Sequence, residues 1–257
     1  MEINGIDVSR WQGDIDWGKA ASAGVRFAMI KAVQGGKTDP KFKRNITGAI
    51  KNGVFAGAYV YSLARTPEEA RGEADAVLEL CEKYELRYPV ALDLEDKSLD
   101  ALTKKELGDI ACAFLDRIRE GGRIPMLYSN RDWFKRRIPR SVVKKYYIWL
   151  AQWRDERPEA DFDFAVWQRG TGRVDGIDGD VDLDVCFVDF SELTAPPLRF
   201  YPASPRLRGE AYLAMQKALN AAHYRDSSGN VLAEDGVWGA RSMEAFRTLL
   251  KVNGQER

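Results

Sequence analysis

Pro89-Val90-Ala91-Leu92-Asp93-Leu94-Glu95-Asp96 reads as a short apolar strand that runs out into acid. A proline precedes the run and Lys97-Ser98 follow it, so the pattern predicts a buried strand ending at Glu95. Side chains alternate along a strand, which puts Asp93 and Glu95 on one face with Cα atoms roughly 6.5–7 Å apart, and Leu92 and Leu94 on the other. Paired carboxylates suit general acid chemistry at a sugar–oxygen bond. One is kept protonated by its neighbour's charge, and the other balances positive charge building up at carbon. An Asp-x-Glu at a strand end is also a common way to meet solvent, so the flanking chain has to decide between the two readings.

Upstream, strand and helix alternate. Ile6 to Ser9 is strand-like and leaves through Arg10-Trp11-Gln12-Gly13, and Asp16 is placed to cap a helix from Trp17 to Ala23. Val25 to Val33 predicts a second strand, Pro40 to Lys51 a helix, and Val54 to Ser62 a third strand. Thr66-Pro67-Glu68-Glu69 caps a helix reaching about Tyr84. Thr103-Lys104-Lys105-Glu106 is a capping box that opens a helix to Gly121, and Ile124 to Ser129 is again a strand. This rhythm predicts parallel strands in an α/β barrel or a doubly wound sheet. No Gly-x-Gly-x-x-Gly follows the first strand, which favours the barrel.

Beyond Ser129 the helices thin out. Tyr146 to Trp153, Phe164 to Arg169 and Val181 to Val188 are strand-like, and the last connector is too short for a crossover helix. The final strand is therefore expected to run antiparallel to its predecessor. That would bring Asp182 to the same open face as Asp7, Asp93 and Glu95, the end of a parallel barrel where reactive groups gather. Trp11, Tyr59, Tyr61, Tyr128, Trp153 and Trp167 cluster at these strand ends, where aromatic faces either fill the barrel or stack on sugar rings.

The chain has 39 basic and 39 acidic residues, so no global basic field is present to attract nucleic acid. Cys81, Cys112 and Cys186 are few, odd in number and set in apolar patterns, and are read as small buried hydrophobes. The run from Asp175 to Asp184 is rich in aspartate but lacks the glycine and glutamate of a calcium loop in register, and His223 is the sole histidine, so no metal site is expected. Met1 to Gly5 carries no export signal and no stretch is long and apolar enough to insert in a membrane. Residues 191 to 208, with Pro196-Pro197, Pro202 and Pro205, are read as a linker. They separate a barrel of residues 1 to 190 from a small helical module of residues 209 to 257, whose core is marginal.

With these residues in view, the first domain resembles glycoside hydrolase family 25, the lysozymes also called muramidases. The likeness spans most of residues 3 to 190. It is carried by Gly5-Ile6-Asp7-Val8-Ser9-x-Trp11-Gln12-Gly13-x-Ile15-Asp16-Trp17, Gly57-Ala58-Tyr59, Asp93-Leu94-Glu95, Tyr128-Ser129, Trp149-Leu150-Ala151-Gln152-Trp153, Trp167-Gln168 and Val181-Asp182-Leu183. It implies an irregular TIM-like barrel of eight strands with few helices, and endo-acting hydrolysis of the β-1,4 bond between N-acetylmuramic acid and N-acetylglucosamine in peptidoglycan. In that resemblance Glu95 is the proton donor, Asp93 its carboxylate partner, and Asp7 and Asp182 the remaining acids. Trp11, Tyr59, Tyr61, Tyr128, Trp153, Trp167 and Gln168 would line the glycan site. No cofactor is expected, and the chain is expected to be a monomer. The family's last motif usually ends in Asn, and this chain has Asp184 there. The resemblance suggests retention of configuration, with Asp93 or Asp182 either attacking carbon or steering the substrate's own 2-acetamido oxygen. The tail, through Met215-Gln216-x-x-Leu219-Asn220 and Asp235-Gly236-Val237-Trp238-Gly239, resembles a three-helix peptidoglycan-binding module, with His223 where glycine is usual. A phage or prophage endolysin acting on the wall from outside the membrane is the expected setting. A non-catalytic wall-binding protein on a degenerate glycosidase scaffold is the competing reading.

Overall fold

Strands buried on both faces, with successive side chains turned to opposite sides, organise the first half of the molecule. In β1 (Ile3–Val8) the side chains of Ile6 and Val8 point to one side while Gly5 and Asp7 point to the other. The chain then runs through α1 (Trp17–Ser22), β2 (Phe27–Gln34), the two-residue β3 (Lys37–Thr38), α2 (Phe42–Lys51), β4 (Phe55–Tyr61), α3 (Pro67–Cys81) and β5 (Val90–Asp93) as successive strand and helix units. It continues through α4 (Lys104–Glu120), β6 (Pro125–Asn130), α5 (Arg140–Val143), β7 (Tyr147–Ala151), β8 (Val166–Gly172), β9 (Val181–Cys186) and α6 (Phe190–Leu193). This computed structural model describes residues 2–193, 207–226 and 228–252.

The strands are ordered β1-β9-β8-β7-β6-β5-β4-β2-β3, and pairing of β1 with β2 closes the first eight into a barrel, with β3 hairpinned outside it. Neighbours from β1 through β2, β4, β5, β6 and β7 to β8 are parallel, and β9 is antiparallel to both β8 and β1. The expected reversal of the last strand is present, because residues 173–180 are too few to carry the chain back across the sheet. Helix starts follow the capping residues: Thr66 accepts from Glu69 N with Pro67 at the first position, and Thr103 and Glu106 form a reciprocal box.

Outward-facing residues such as Ile30, Leu92, Leu127 and Leu150 pack under Ile46, Val77 and Phe114 of the helices. Inward-facing Phe27, Met29, Met126 and Trp149 fill the lower barrel with Tyr88 and Phe190. Each such side chain contributes roughly 1.5–3 kcal/mol through burial. Gly5 is required by this filling, since a Cβ there would lie 2.3 Å from the Phe27 ring; at Gly57 it would meet Met29 Sδ at 2.5 Å.

Three expectations need correction. The strand carrying the paired acids ends at Asp93, not Glu95. Leu94 N still reaches Tyr128 O, but Ser129 Oγ takes the Leu94 carbonyl at 2.7 Å and Asp96 caps a 3-10 turn over Lys97–Leu99, so Glu95 lies between strand and turn. Residues 191–193 are not linker: with Phe190, fully buried against Tyr88 and Tyr147, they form α6. At the other end of that stretch, Leu207–Arg208 form β10, while 194–206 lie outside the described residues.

By internal contacts the chain divides into Met1–Ala195 and Pro196–Arg257. The second unit has β10 paired with β11 (Val237–Trp238), and two helices among the described residues, α7 (Glu210–Ala221) and α8 (Ala240–Val252). Leu219, Leu232, Trp238, Ala245 and Phe246 form its core. Buried Gln216 ties α7 to the β11 loop, donating to Val237 O and accepting from Gly236 N. His223 sits at φ +62° after α7, its N–H bonded to Asn220 O and that of Tyr224 to Leu219 O, a left-handed helix end that glycine fits without strain. No helix among the described residues is long and apolar enough to cross a membrane.

Candidate active site

The parallel strands deliver their carboxyl ends to one mouth of the barrel, and the reversed β9 delivers its beginning there. Asp7 pairs in register with Asp182, and Asp93 lies between Tyr61 and Tyr128 on its two neighbours. Asp7, Asp93 and Asp184 are buried, whereas Glu95 and Asp182 are half-buried and open to the mouth.

Gln168 is the hub on the β8 side. Its Nε2 donates to Asp7 Oδ2 at 2.8 Å, while its Oε1 accepts from Tyr128 Oη at 3.1 Å and Trp153 Nε1 at 3.3 Å. The amide is thereby held in one orientation and aims a donor at Asp7. On the opposite side Tyr61 Oη donates to Asp96 Oδ2 at 2.8 Å. Asp39 accepts from Arg10 N and Ser9 N donates to Gln12 Oε1, fixing the turn that carries Trp11. Trp11 and Trp153 are 74% and 64% exposed, with the Arg10 guanidinium 4.7 Å from the Trp11 ring, and exposed indole surface of this kind suits a flat apolar partner.

Asp7, Asp93, Glu95, Asp182 and Asp184 hold their protons more tightly than an ordinary carboxylate, whereas Asp96, bonded by Ser98 and Tyr61, holds its proton less tightly. Burial pushes Asp7 up to about 7, aided by the charge of Asp182 and opposed by the Gln168 hydrogen bond. Asp93 is raised well above the usual range by burial and then by Glu95. Glu95 is raised by burial and by Asp182, and Asp182 by burial. Lys31, on β2, is the counterweight. Its Nζ bonds Gln34 Oε1 at 2.9 Å and lies 4.8 Å from the Tyr61 ring centroid, and its charge lowers Asp93 and Glu95. Like charges crowded in a low-dielectric mouth cannot all ionise, so protons remain available at neutral pH, and the accessible Glu95 is placed to deliver one.

The structure brings together Asp7, Asp93, Glu95, Asp182, Gln168, Tyr61, Tyr128 and Trp153 at one mouth, through mutual hydrogen bonds and charge interactions. Tyr59 is buried inside the barrel, edge-on to Trp149 at 6.0 Å, and Tyr128 is edge-on to the same indole at 4.6 Å. Both line the floor of the site. Trp167 is not brought in: it pairs with outward-facing Leu150, and its Nε1 donates to Gln152 O. The signal for this was parity, since Trp167 and Gln168 are adjacent in a strand and must face opposite ways. Lys31 and Trp149 went unselected in the sequence. A lone lysine within Phe27-Ala28-Met29-Ile30-Lys31-Ala32-Val33 was the available signal for the first. Asp184 is also drawn in, accepting from Trp149 Nε1 at 2.8 Å.

The family model for glycosyl hydrolases family 25 matches residues 6–177. YegX of Escherichia coli K12 is 34% identical over 202 residues, covering 75% of this chain and 72% of that protein. Lysozyme M1 of Streptomyces globisporus is 29% identical over 200 residues, 70% of this chain and 66% of that protein. Among solved structures, a bacterial lysozyme from Streptomyces coelicolor superposes with a TM-score of 0.66 at 29% identity, covering 75% of this chain and 95% of that one.

Proposed function

The chain belongs to glycosyl hydrolase family 25 and is a glycoside hydrolase of the lysozyme type, and from that premise we propose that it is an endo-acting muramidase. Its bond would be the β-1,4 link from N-acetylmuramic acid to N-acetylglucosamine, with Glu95 as proton donor. The observation that carries the reading is the convergence of Asp7, Asp93, Glu95 and Asp182 on one mouth, with Glu95 both raised in pKa and accessible. Glu95 gives its proton to the glycosidic oxygen as the C1–O bond breaks. The remaining carboxylates offset the positive charge spreading onto C1 and the ring oxygen. Water then closes on C1 and returns a proton to the Glu95 carboxylate. Trp11, Trp153, Tyr61 and Gln168 supply the contacts to flanking sugars, above the floor made by Tyr59 and Tyr128.

Incubation with purified wall tests the bond directly. New reducing ends should be muramic acid residues, seen after borohydride reduction and mass analysis. Reducing ends on glucosamine, or none at all, would refute the assignment.

We assign the second unit the work of holding the enzyme on its insoluble substrate, where a second weak contact raises the local concentration of sites without altering the chemistry. A barrel that cuts wall joined to a small wall-tethering unit fits release in a phage or prophage lysis step. A chain ending at Ala195 should clear whole walls more slowly while cutting short soluble muropeptides at the full-length rate. Equal slowing on both substrates would reject the tether.

A further inference from the structure

Asp184 is a buried carboxyl with an unusual set of neighbours. Its Oδ1 accepts the Trp149 indole N–H at 2.8 Å, and no N–H group reaches its Oδ2, which is also sealed from solvent. In register Asp184 stands opposite Gly5 of β1 and Gln168 of β8, the residue that bonds Asp7, which sets its carboxyl beside that of Asp7, another buried carboxyl. Two ionised carboxylates in contact would present only lone pairs to each other, so the contact requires a proton between them. Asp7 already receives Gln168 Nε2, whose orientation is fixed by Tyr128 and Trp153 donating to Oε1. Building on the muramidase reading, we infer that Asp184 serves as a protonated carboxylic acid that donates to Asp7, a positioning residue that keeps Asp7 ionised and aimed at the mouth.

The surroundings favour the proton on Asp184. It is the more buried of the two, and burial together with the charge of Asp7 holds its proton well above the ordinary carboxylate range. Asp7 is pulled the other way by the donor hydrogen bonds from Gln168 and Asp184. Facing the pair are Asp182 and Cys186 on the same strand, Tyr128 of β6, Tyr59 of β4, Lys31 of β2, Asp93 of β5 and Glu95 beyond it; of these only Lys31 is a cation. A carboxylic acid in this position does what a side-chain amide would do, accepting from the indole with one atom and donating to Asp7 with the other.

Two variants and one spectrum decide it. Difference infrared spectroscopy of the full chain at neutral pH should show a buried protonated carboxyl stretch that disappears in Asp184→Asn. Asp184→Leu, which has no donor for Asp7, should lower kcat on purified wall by about tenfold to a hundredfold and move the acid limb of its pH profile upward, because Asp7 then protonates more readily. Asp184→Asn should recover most of that loss and return the limb toward the wild-type position. A wild-type minus Asp184→Asn difference spectrum without a protonated-carboxyl band would overturn the inference, as would an Asp184→Leu limb that stays where the wild type has it. Should the wild type leave wall uncut, the muramidase reading falls while the infrared band still decides the state of Asp184.

Discussion

At the lower end of the barrel, Phe27 stacks on Tyr88 with ring centroids 4.5 Å apart and Phe190 closes the floor; at the upper end the same strands present Asp7, Lys31, Asp93 and Asp182. A single strand makes the passage from one to the other. Along β2 the inward residues are Phe27, Met29 and Lys31, and along β9, read upward, Cys186, Asp184 and Asp182. Backbone pairing is regular at the lower end and shifts register at the mouth, after Lys31 in β2 and after Gln168 in β8. The floor gains from removing apolar surface from water. The mouth buries carboxyls that would be more stable hydrated, and it is held in place by the floor beneath it.

Breaking the floor should have the largest effect. Phe27→Ala leaves a void beneath Met29 and beside Gly5 and is expected to cost about 3–5 kcal/mol in denaturant unfolding, with activity lost only as the fold is lost. A variant that kept its stability would show that the floor does not support the mouth.

The mouth should answer in the opposite direction. Its acids have raised folded-state pKa values, so the native chain binds more protons than the unfolded chain once pH exceeds the ordinary carboxylate range. Stability therefore falls as pH rises, for Asp7 across the interval from 3.8 to about 7, and the penalty is complete above it. Melting temperature should be higher near pH 5 than near pH 8. Asp7→Asn should flatten that slope and melt higher than the wild type at pH 8 while cutting wall more slowly. A slope unchanged by the substitution would remove Asp7 from the strained set.

How legible this contrast was in the chain follows from which forces write a local pattern. Strand alternation, the caps at Thr66 and Thr103 and the short connector before Val181 all leave local signatures, and the barrel with its reversed last strand followed from them. Asp7, Asp93, Glu95 and Asp182 were readable as acids at strand ends. The end of β5 was not, because Ser129, from the next strand, captures the Leu94 carbonyl and stops the ladder. Lys31 was hidden inside an apolar strand, since what marks it out is proximity to acids far away in sequence. Trp167 was placed by its motif, and the register with Leu150 turns it outward. The bond from Trp149 to Asp184 joins β7 to β9, a pairing of side chains that no local spacing records.

A smaller effect would sharpen the picture of charge balance at the mouth. Lys31→Met removes the cation that lowers Asp93 and Glu95, so both should hold their protons to higher pH. The expected result is a pH profile displaced upward with turnover largely kept at its new optimum. An unmoved profile would mean that the cation at Lys31 does not govern these acids.

Glu95→Gln tests the central claim most directly, because it separates the two ends in one protein. Wall cleavage and melting temperature at pH 8 are measured on the same preparation. Cleavage should fall by about 10²–10⁴-fold, the usual loss when a general acid is removed, while the melting temperature stays level or rises, since a half-buried carboxyl whose ionised form the fold disfavours has been taken out. Cleavage at the wild-type rate, or a melting temperature lowered as by a floor substitution, would contradict the account.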